Sequence, residues 1–315
     1  MSQIAPELPR QNSTNGRILP AIGGLAATLA PGLAARLAER VFLTPGRREP
    51  RPAEALVLSQ GHRFRVPFGG GHLAAWSWGD GPTVFLAHGW GGSAARMTWF
   101  VDSLVRAGYS VVAFDGPGHG SSDGRTSSVI QLAAALRAVS EWTAAADAGS
   151  GHAGAIGHSI GGVAIALAAR QGVPFRRAVF IGSPSSLEAA SHEFIARLGL
   201  TREVSARMQQ NIERRFGMAW RDLAITRLLP KERVPLLVMH DAGDMAVPVE
   251  EATRIATAWP GAELVVTEGL GHHRILQDPA IVARATGFIS GVTPQALPRE
   301  PRRSGGGRVL AGDLS

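Results

Sequence analysis

Cysteine is absent from this chain of 315 residues. Its absence excludes disulfide bonds, a cysteine nucleophile and thiolate–metal sites. Lysine is nearly absent too, because Lys231 is the only one, so arginine carries almost all of the positive charge. A formal net charge of +7 would suit an anionic partner. However, many arginines lie in the two termini and no nucleic-acid-binding motif accompanies them, so we expect no nucleic-acid partner.

A long uninterrupted hydrophobic run is also missing. Residues 18–35 are uncharged and approach the length that spans a bilayer, but Pro20, Pro31 and several glycines interrupt them. Glu7 and the long polar start fit a secretory signal poorly. We therefore expect a helix at about 31–42, packed on the domain or lying loosely on its surface, in a cytoplasmic protein. Export or membrane association through residues 18–35 is the alternative.

The composition is that of a globular protein, with 45% hydrophobic and 18% charged residues. The length suffices for one large domain with an insertion. We predict an N-terminal helical or linker extension over 1–54 and a main domain over 55–290. That domain carries an inserted helical cap at about 185–233, and residues 291–315 form a disordered tail.

Strand and helix patterns alternate along the main domain. This alternation predicts a mostly parallel, doubly wound α/β sheet with right-handed crossovers. Short apolar runs predict strands at 55–59, 62–67, 72–78, 83–88, 110–114, 177–181, 235–239 and 262–266, and directly before Ser159.

The stretch from Ala153 to Gly162 reads as a strand, a sharp turn at Ser159 and a helix, which is the pattern of a nucleophile elbow. The turn needs glycine on both sides, because side chains at Gly157 and Gly161 would collide with neighbouring backbone. The G-x-S-x-G pattern is weak alone, and a second match at 120–124 lacks a preceding strand. Context therefore selects Ser159.

Other polar groups follow neighbouring strands, at the edge where doubly wound sheets carry their sites. They are the glycine-rich run His88–Gly92, Asp244 and His272. A serine needs a base to become nucleophilic, histidine has a suitable pKa, and a carboxylate fixes the imidazole tautomer. The order Ser159, Asp244, His272 is the order found in α/β hydrolases.

Taken together, the motifs resemble those of α/β-hydrolase-fold proteins of the serine esterase and lipase type. They are His88-Gly89-Trp90, Asp115 to Ser122, Gly157 to Gly162, His240 to Asp244 with Val247-Pro248, and Gly271-His272.

The resemblance implies that Asp244 is the acid and His272 the base, with Asp241 and His273 as the competing residues. It also implies that the backbone amides of Trp90 and Ile160 form an oxyanion hole. The Trp90 indole either lines an acyl pocket or simply packs beside its strand. His88 and His158 are expected to support loop geometry, and Asp115 and His119 to organise a turn.

The resulting functional hypothesis is a serine hydrolase that cleaves a small carboxylic ester or related acyl compound through an acyl-enzyme. Acyl transfer or thioester cleavage on the same triad is the first alternative. A non-catalytic small-molecule-binding protein of the same fold is the second. No cofactor is expected, since no nucleotide-binding glycine motif occurs. No metal is expected either, because His272 and His273 are adjacent rather than spaced ligands. The sequence leaves the oligomeric state open.

Overall fold

The structure is a computed structural model that describes residues 30–146, 151–188, 191, 194–195, 198–228 and 234–291. Within them, eight strands form one sheet in the order β1-β2-β4-β3-β5-β6-β7-β8. The strands are β1 (His62–Phe68), β2 (Gly71–Trp78), β3 (Thr83–Ala87), β4 (Ser110–Phe114), β5 (His152–His158), β6 (Arg177–Ile181), β7 (Leu236–Asp241) and β8 (Glu263–Thr267).

Helices cover both faces of this sheet. They are α1 (Pro31–Phe42), α2 (Pro52–Gln60), α3 (Val101–Arg106), α4 (Val129–Ala146), α5 (Ile160–Arg170), α6 (Arg202–Phe216), α7 (Val249–Ala258), α8 (Gly271–Arg274) and α9 (Pro279–Ser290). Short 3-10 helices occur at Ala94–Phe100, Trp220–Leu223, Ile225–Arg227 and Ile275–Gln277.

The sheet is parallel except at one edge, where β2 pairs antiparallel with β1 and with β4. All five residues of β3 are buried, as expected for a strand covered on both faces. Most residues of the edge strand β1 are exposed or half-buried instead. The predicted doubly wound α/β sheet is confirmed.

The order of the strands positions the site. After β3 the chain moves to β4 on one side, and it then returns to place β5 on the other side of β3. The loops after β3 and β5 therefore diverge and leave a crevice at the carboxyl ends of these two strands. Ligands bind at such a switch point in doubly wound sheets.

One predicted strand is wrong. Residues 55–59 belong to the helix α2, which begins at Pro52. Proline suits the first helical position, and the Glu54 carboxylate accepts a hydrogen bond from the backbone N–H of Arg51 at 2.9 Å. These start signals outweigh a short apolar run that fits a helix as well as a strand.

The helix predicted at 31–42 is present as α1, and it packs on α6 of the cap. Thr201 caps the start of α6, and Gly217 ends it with a left-handed φ of 65°. The two helices share a small hydrophobic core of their own, formed by Ala35, Ala38, Leu43, Ile195, Val204, Met208, Ile212 and Trp220. The N-terminal helix is thus packed into the cap.

The stretch predicted as a linker after α1 is tied to the main domain. The Arg47 guanidinium donates hydrogen bonds to the carbonyl oxygens of Gly120, Ser122 and Gly124, at 2.5, 3.0 and 2.8 Å. This arginine therefore holds the turn that contains the second G-x-S-x-G match.

Two expectations fall outside the described residues: the role of residues 18–29 and the disorder of the tail beyond residue 291. In the part of the chain that the structure does describe, no helix combines the length and apolar character that crossing a bilayer requires.

Candidate active site

Ser159 lies at the bend between β5 and α5. Its φ of 53° and ψ of −126° make it the one non-glycine residue with positive φ among those the structure describes. A side chain held in this region of the backbone map is strained, and such strain clusters at functional sites. Its backbone N–H donates to the carbonyl of Ile181 at 2.9 Å, which ties the bend to the neighbouring strand.

The two glycines flanking the bend have no room for a side chain. A Cβ atom at Gly161 would lie 2.3 Å from the carbonyl oxygen of Ala87, and one at Gly157 would lie 2.6 Å from the carbonyl carbon of Gly161. Glycine at 161 therefore lets α5 approach β3, and glycine at 157 lets α5 fold back closely on β5. The predicted reason for these glycines is confirmed.

A carboxylate–imidazole pair lies on the loops after β7 and β8. His272 Nδ1–H donates to Asp244 Oδ2 at 2.7 Å, and the two side chains are 12% and 1% exposed. This bond fixes the tautomer and leaves the other ring nitrogen, Nε2, as a proton acceptor.

Backbone groups stabilise the charged form of Asp244. Its Oδ1 accepts hydrogen bonds from the N–H groups of Ala246 and Val247, at 2.8 and 2.9 Å. Burial alone would raise the pKa of this carboxyl. The hydrogen bonds and the nearby His272 imidazole outweigh burial, so the pKa of Asp244 lies below its ordinary value.

Asp241, the competing acid, has other partners. Its Oδ1 accepts the N–H of Gly243 at 3.0 Å, and its Oδ2 accepts the Thr267 hydroxyl at 2.8 Å and the N–H of Leu270 at 2.9 Å. Asp241 therefore joins the loops after β7 and β8, whereas Asp244 contacts the imidazole.

His158 connects the loop of His272 to the elbow. Its Nε2–H donates to the backbone carbonyl of His272 at 2.8 Å, and the two rings lie 4.6 Å apart. Burial, followed by the nearby His272, lowers the pKa of His158 well below its ordinary value, so the ring is a neutral donor. Sequence analysis assigned His158 only general loop support. Its position next to Ser159 was the available signal.

Within the described part of the chain, the Ser159 hydroxyl forms no hydrogen bond. In unliganded enzymes the hydrogen bond between nucleophile and base is often long and shortens when substrate binds. The elbow and the segment of His272 are nevertheless in contact through the His158 hydrogen bond to the His272 carbonyl. The loop after β6 is close to the base as well, because a Cβ atom at Gly182 would lie 3.2 Å from His272 Nδ1.

The two backbone N–H groups predicted to form an oxyanion hole are those of Trp90 and Ile160. Ile160 is the first residue of α5, and Trp90 lies in a turn closed by a hydrogen bond from Gly92 N–H to Gly89 O at 3.0 Å. Neither N–H donates a hydrogen bond to any described residue. A Cβ atom at Gly89 would lie 2.9 Å from Ser159 Cβ, so this turn and the elbow are adjacent. The Trp90 side chain is 39% exposed and its ring meets His119 edge-on at 5.4 Å.

His88 and Asp115 form hydrogen bonds that hold the backbone of the loops after β3 and β4. His88 Nδ1–H donates to Gly89 O at 2.7 Å, and its Nε2 accepts the N–H of Gly116 at 2.9 Å. Asp115 accepts the N–H groups of Ala94 and Ser121, each at 2.7 Å. Both side chains are therefore fully engaged in holding the loop backbone.

A model of the alpha/beta hydrolase family matches residues 84–285. The chain belongs to this family. The predicted α/β-hydrolase fold is therefore confirmed.

Solved structures agree with the family assignment at the level of the fold. An esterase from Pyrococcus furiosus is 20% identical with a TM-score of 0.63, over 80% of this chain and 98% of that one. A bromoperoxidase from Bacillus anthracis is 19% identical with a TM-score of 0.55, over 73% and 99%. A thioesterase domain from the curacin biosynthetic pathway is 17% identical with a TM-score of 0.51, over 73% and 99%.

This alpha/beta hydrolase also brings three histidines together. His158, His272 and His273 each offer a ring nitrogen within 4.8 Å of the others. Hydrogen bonds already occupy one nitrogen of His158 and one of His272, so an ion would have to use the remaining nitrogens. Partial burial, followed by His272 and Arg96, lowers the pKa of His273 to about 4. Sequence spacing could not reveal this cluster, because His158 lies 114 residues from His272.

A cavity of about 380 Å³ lies on the cap of this hydrolase, away from the strand ends. Its lining contains none of the candidate residues and no nucleophile paired with a base. The cavity is lined by Ala206, Gln209, Gln210, Glu213, Ala219 and Arg221.

Proposed function

We propose that this alpha/beta hydrolase is a serine hydrolase that cleaves carboxylic esters through an acyl-enzyme. The observation that supports the proposal most strongly is the 2.7 Å hydrogen bond between Asp244 and His272, at the same sheet edge as Ser159 with its strained backbone. A base oriented by a carboxylate and a serine hydroxyl at the elbow are the parts that acyl transfer requires.

The first half of the reaction forms the acyl-enzyme. Ser159 Oγ attacks the ester carbonyl carbon while its proton passes to Nε2 of His272. Asp244 stabilises the resulting imidazolium. The N–H groups of Trp90 and Ile160 stabilise the oxyanion of the tetrahedral intermediate, and His272 then protonates the departing alcohol.

The second half releases the acid. Water attacks the acyl carbonyl and gives its proton to His272, and the same two N–H groups hold the second oxyanion. When the intermediate collapses, His272 returns the proton to Ser159 Oγ. The carboxylic acid leaves and the free enzyme is restored.

Turnover of p-nitrophenyl esters of short, medium and long acyl chains by the purified full chain tests the proposal. We expect Ser159→Ala to lower kcat/KM by at least about 1,000-fold without changing the unfolding curve. The matched control is Ser121→Ala, an exposed serine of the second G-x-S-x-G stretch, which keeps full activity. Full activity in Ser159→Ala would refute the proposal, and absence of turnover in the wild type on every ester would favour a binding protein.

A further inference from the structure

Helix α1 presents an apolar face to solvent. Leu33, Leu37 and Val41 are 60%, 57% and 56% exposed. Their spacing of four residues places all three side chains along one side of the helix. The opposite side is buried, because Ala35 and Ala38 pack against the cap. Helix α1 therefore has apolar side chains on its exposed side as well as on the side packed against the cap.

The same outer face carries positive charge. Arg36 and Arg40 are exposed and lie beside the apolar residues, one helical turn from Leu33 and Leu37 respectively. Neither arginine forms an ion pair with a described residue. The one acidic residue of α1, Glu39, lies to the side and pairs with Arg215 of the cap at 3.2 Å. The outer face thus combines exposed leucine and valine with uncompensated arginine.

We propose that the outer face of α1 docks the protein on an anionic membrane surface. Large apolar side chains flanked by arginine on one helix face suit the boundary between lipid headgroups and acyl chains. There the apolar groups are buried and the guanidinium groups meet anionic lipids. The chain leads into α1 through residues 18–29, which contain no acidic residue.

The positive charge of the outer face of α1 favours a membrane over two other occupants, which are a second copy of the chain and residues 18–29. A second copy of the chain, paired about a two-fold axis, would bring Arg36 and Arg40 against the same arginines of its partner. Residues 18–29 folded back over the face would cover the leucines but offer no counter-charge to the arginines. An anionic bilayer would bury the apolar side chains and also supply negative charge to the arginines.

The docking face connects directly to the mouth of the candidate site. Leu43, just after α1, accepts a hydrogen bond from Ser127 N–H at 2.7 Å. The carbonyl of Gly46 lies 3.7 Å from where a Cβ of Gly91 would be, next to the loop of Trp90. A short anchored segment therefore links the docking face to the loop beside Ser159.

Sedimentation with vesicles tests the proposal on the full chain. Vesicles of phosphatidylcholine alone are compared with vesicles that also contain phosphatidylglycerol. We expect the wild type to bind the anionic vesicles, with weaker binding at high salt. The double variant Leu33→Asp/Leu37→Asp should bind at least about tenfold more weakly, because it replaces two apolar side chains of the docking face with negative charges. Arg36→Gln/Arg40→Gln should lose the preference for anionic vesicles.

Matched controls separate docking from general surface effects. Leu56→Asp alters a leucine of α2 that is 61% exposed, and Arg170→Gln/Arg176→Gln removes two exposed arginines elsewhere. Both should bind like the wild type. An unchanged urea unfolding curve in all variants would show that they fold, so this test can fail independently of the proposed function.

Three outcomes would overturn the proposal. The first is that the wild type ignores anionic vesicles, or that Leu33→Asp/Leu37→Asp binds them equally well. The second is a wild-type dimer without vesicle binding that Leu33→Asp/Leu37→Asp converts to a monomer in sedimentation equilibrium, which would assign the face to a second copy. The third is vesicle binding that appears only after residues 1–29 are removed, which would assign the face to residues 18–29.

Discussion

Two carboxylates, Asp241 at the end of β7 and Asp244 in the loop that follows, have different hydrogen-bond partners. Asp244 bonds to the imidazole of His272, whereas Asp241 bonds to the backbone and to Thr267. Sequence alone kept both residues in competition, because each follows the same strand. The distinction depends on how the loop folds, which spacing does not encode.

Substitution by asparagine should separate the two carboxylates. We expect Asp244→Asn to lower kcat by about 10,000-fold, since the imidazole loses the group that fixes its tautomer. Asp241→Asn should instead reduce the free energy of unfolding by about 1–3 kcal/mol through its buried unsatisfied partners. Ester turnover and urea unfolding of both variants check this, and equal activity losses would contradict the assignment of roles.

His158 should act as a positioning residue. Replacing it with Leu removes the donor to the His272 carbonyl, and a small displacement of the base is enough to cost about 100-fold in kcat. KM should change little, because His158 contacts the base and not the substrate. His158→Asn offers an N–H donor and should recover part of the activity. A loss confined to thermal stability, with kcat unchanged in His158→Leu, would show a purely structural role.

The same residues show what could be predicted at this scale. Ser159 and His272 were predicted from strand ends and chain order, which follow from the parallel sheet, and the family resemblance favoured His272 over His273. The His158–His272 hydrogen bond was not found, because a side chain meeting a carbonyl across 114 residues depends on loop conformation.

At the scale of elements, the close approach of α5 to β3 depends on glycine. Gly161→Ala would place a methyl group 2.3 Å from a backbone oxygen, so helix and strand must separate. We expect a loss of about 1–3 kcal/mol in the free energy of unfolding and a large fall in ester turnover. The matched control is Gly32→Ala in α1, where a Cβ meets nothing within 4 Å. This control should be neutral or stabilising. Wild-type stability and turnover in Gly161→Ala would contradict the account.

Element prediction failed where a short pattern was ambiguous and where tertiary contacts decide. Residues 55–59 form a helix, because the Pro52 and Glu54 start signals outweigh five apolar-rich positions. The helix at 31–42 was predicted, but its place in the cap was not. Alanine at positions 35 and 38 carries a weak burial signal on its own.

At the scale of the whole molecule, buried neutral histidines make stability depend on pH. Burial, followed by the nearby His88, lowers the pKa of His119 to about 3, and burial also lowers the pKa of His88 and His158. Unfolding restores ordinary histidine pKa values, so the unfolded state binds more protons below about pH 6.5. Stability should therefore fall as pH decreases from about 6.5 towards the folded-state pKa values. Asp244 behaves differently: its lowered pKa adds stability that is lost only at more acidic pH, as pH falls through its folded value.

One substitution isolates this effect. His119→Asn keeps a donor near the position of Nδ1, which faces the carbonyl of Pro117, and removes the titrating ring. Between about pH 6 and 5, the free energy of unfolding should fall less steeply in His119→Asn than in the wild type, by about 1.4 kcal/mol per pH unit. His62→Asn, which removes an exposed imidazole of β1, is the matched control. Urea unfolding across this range measures both, and an unaltered slope in His119→Asn would contradict the burial argument.

In the proposed mechanism, Ser159 is a nucleophile that His272 activates. Mass spectrometry of the full chain after reaction with a fluorophosphonate tests it most directly, by locating the adduct and measuring its rate of formation. We expect one adduct on Ser159, formed at least about 1,000-fold more slowly in His272→Ala. An adduct on another residue, or an equal rate of labelling at Ser159 without His272, would contradict it.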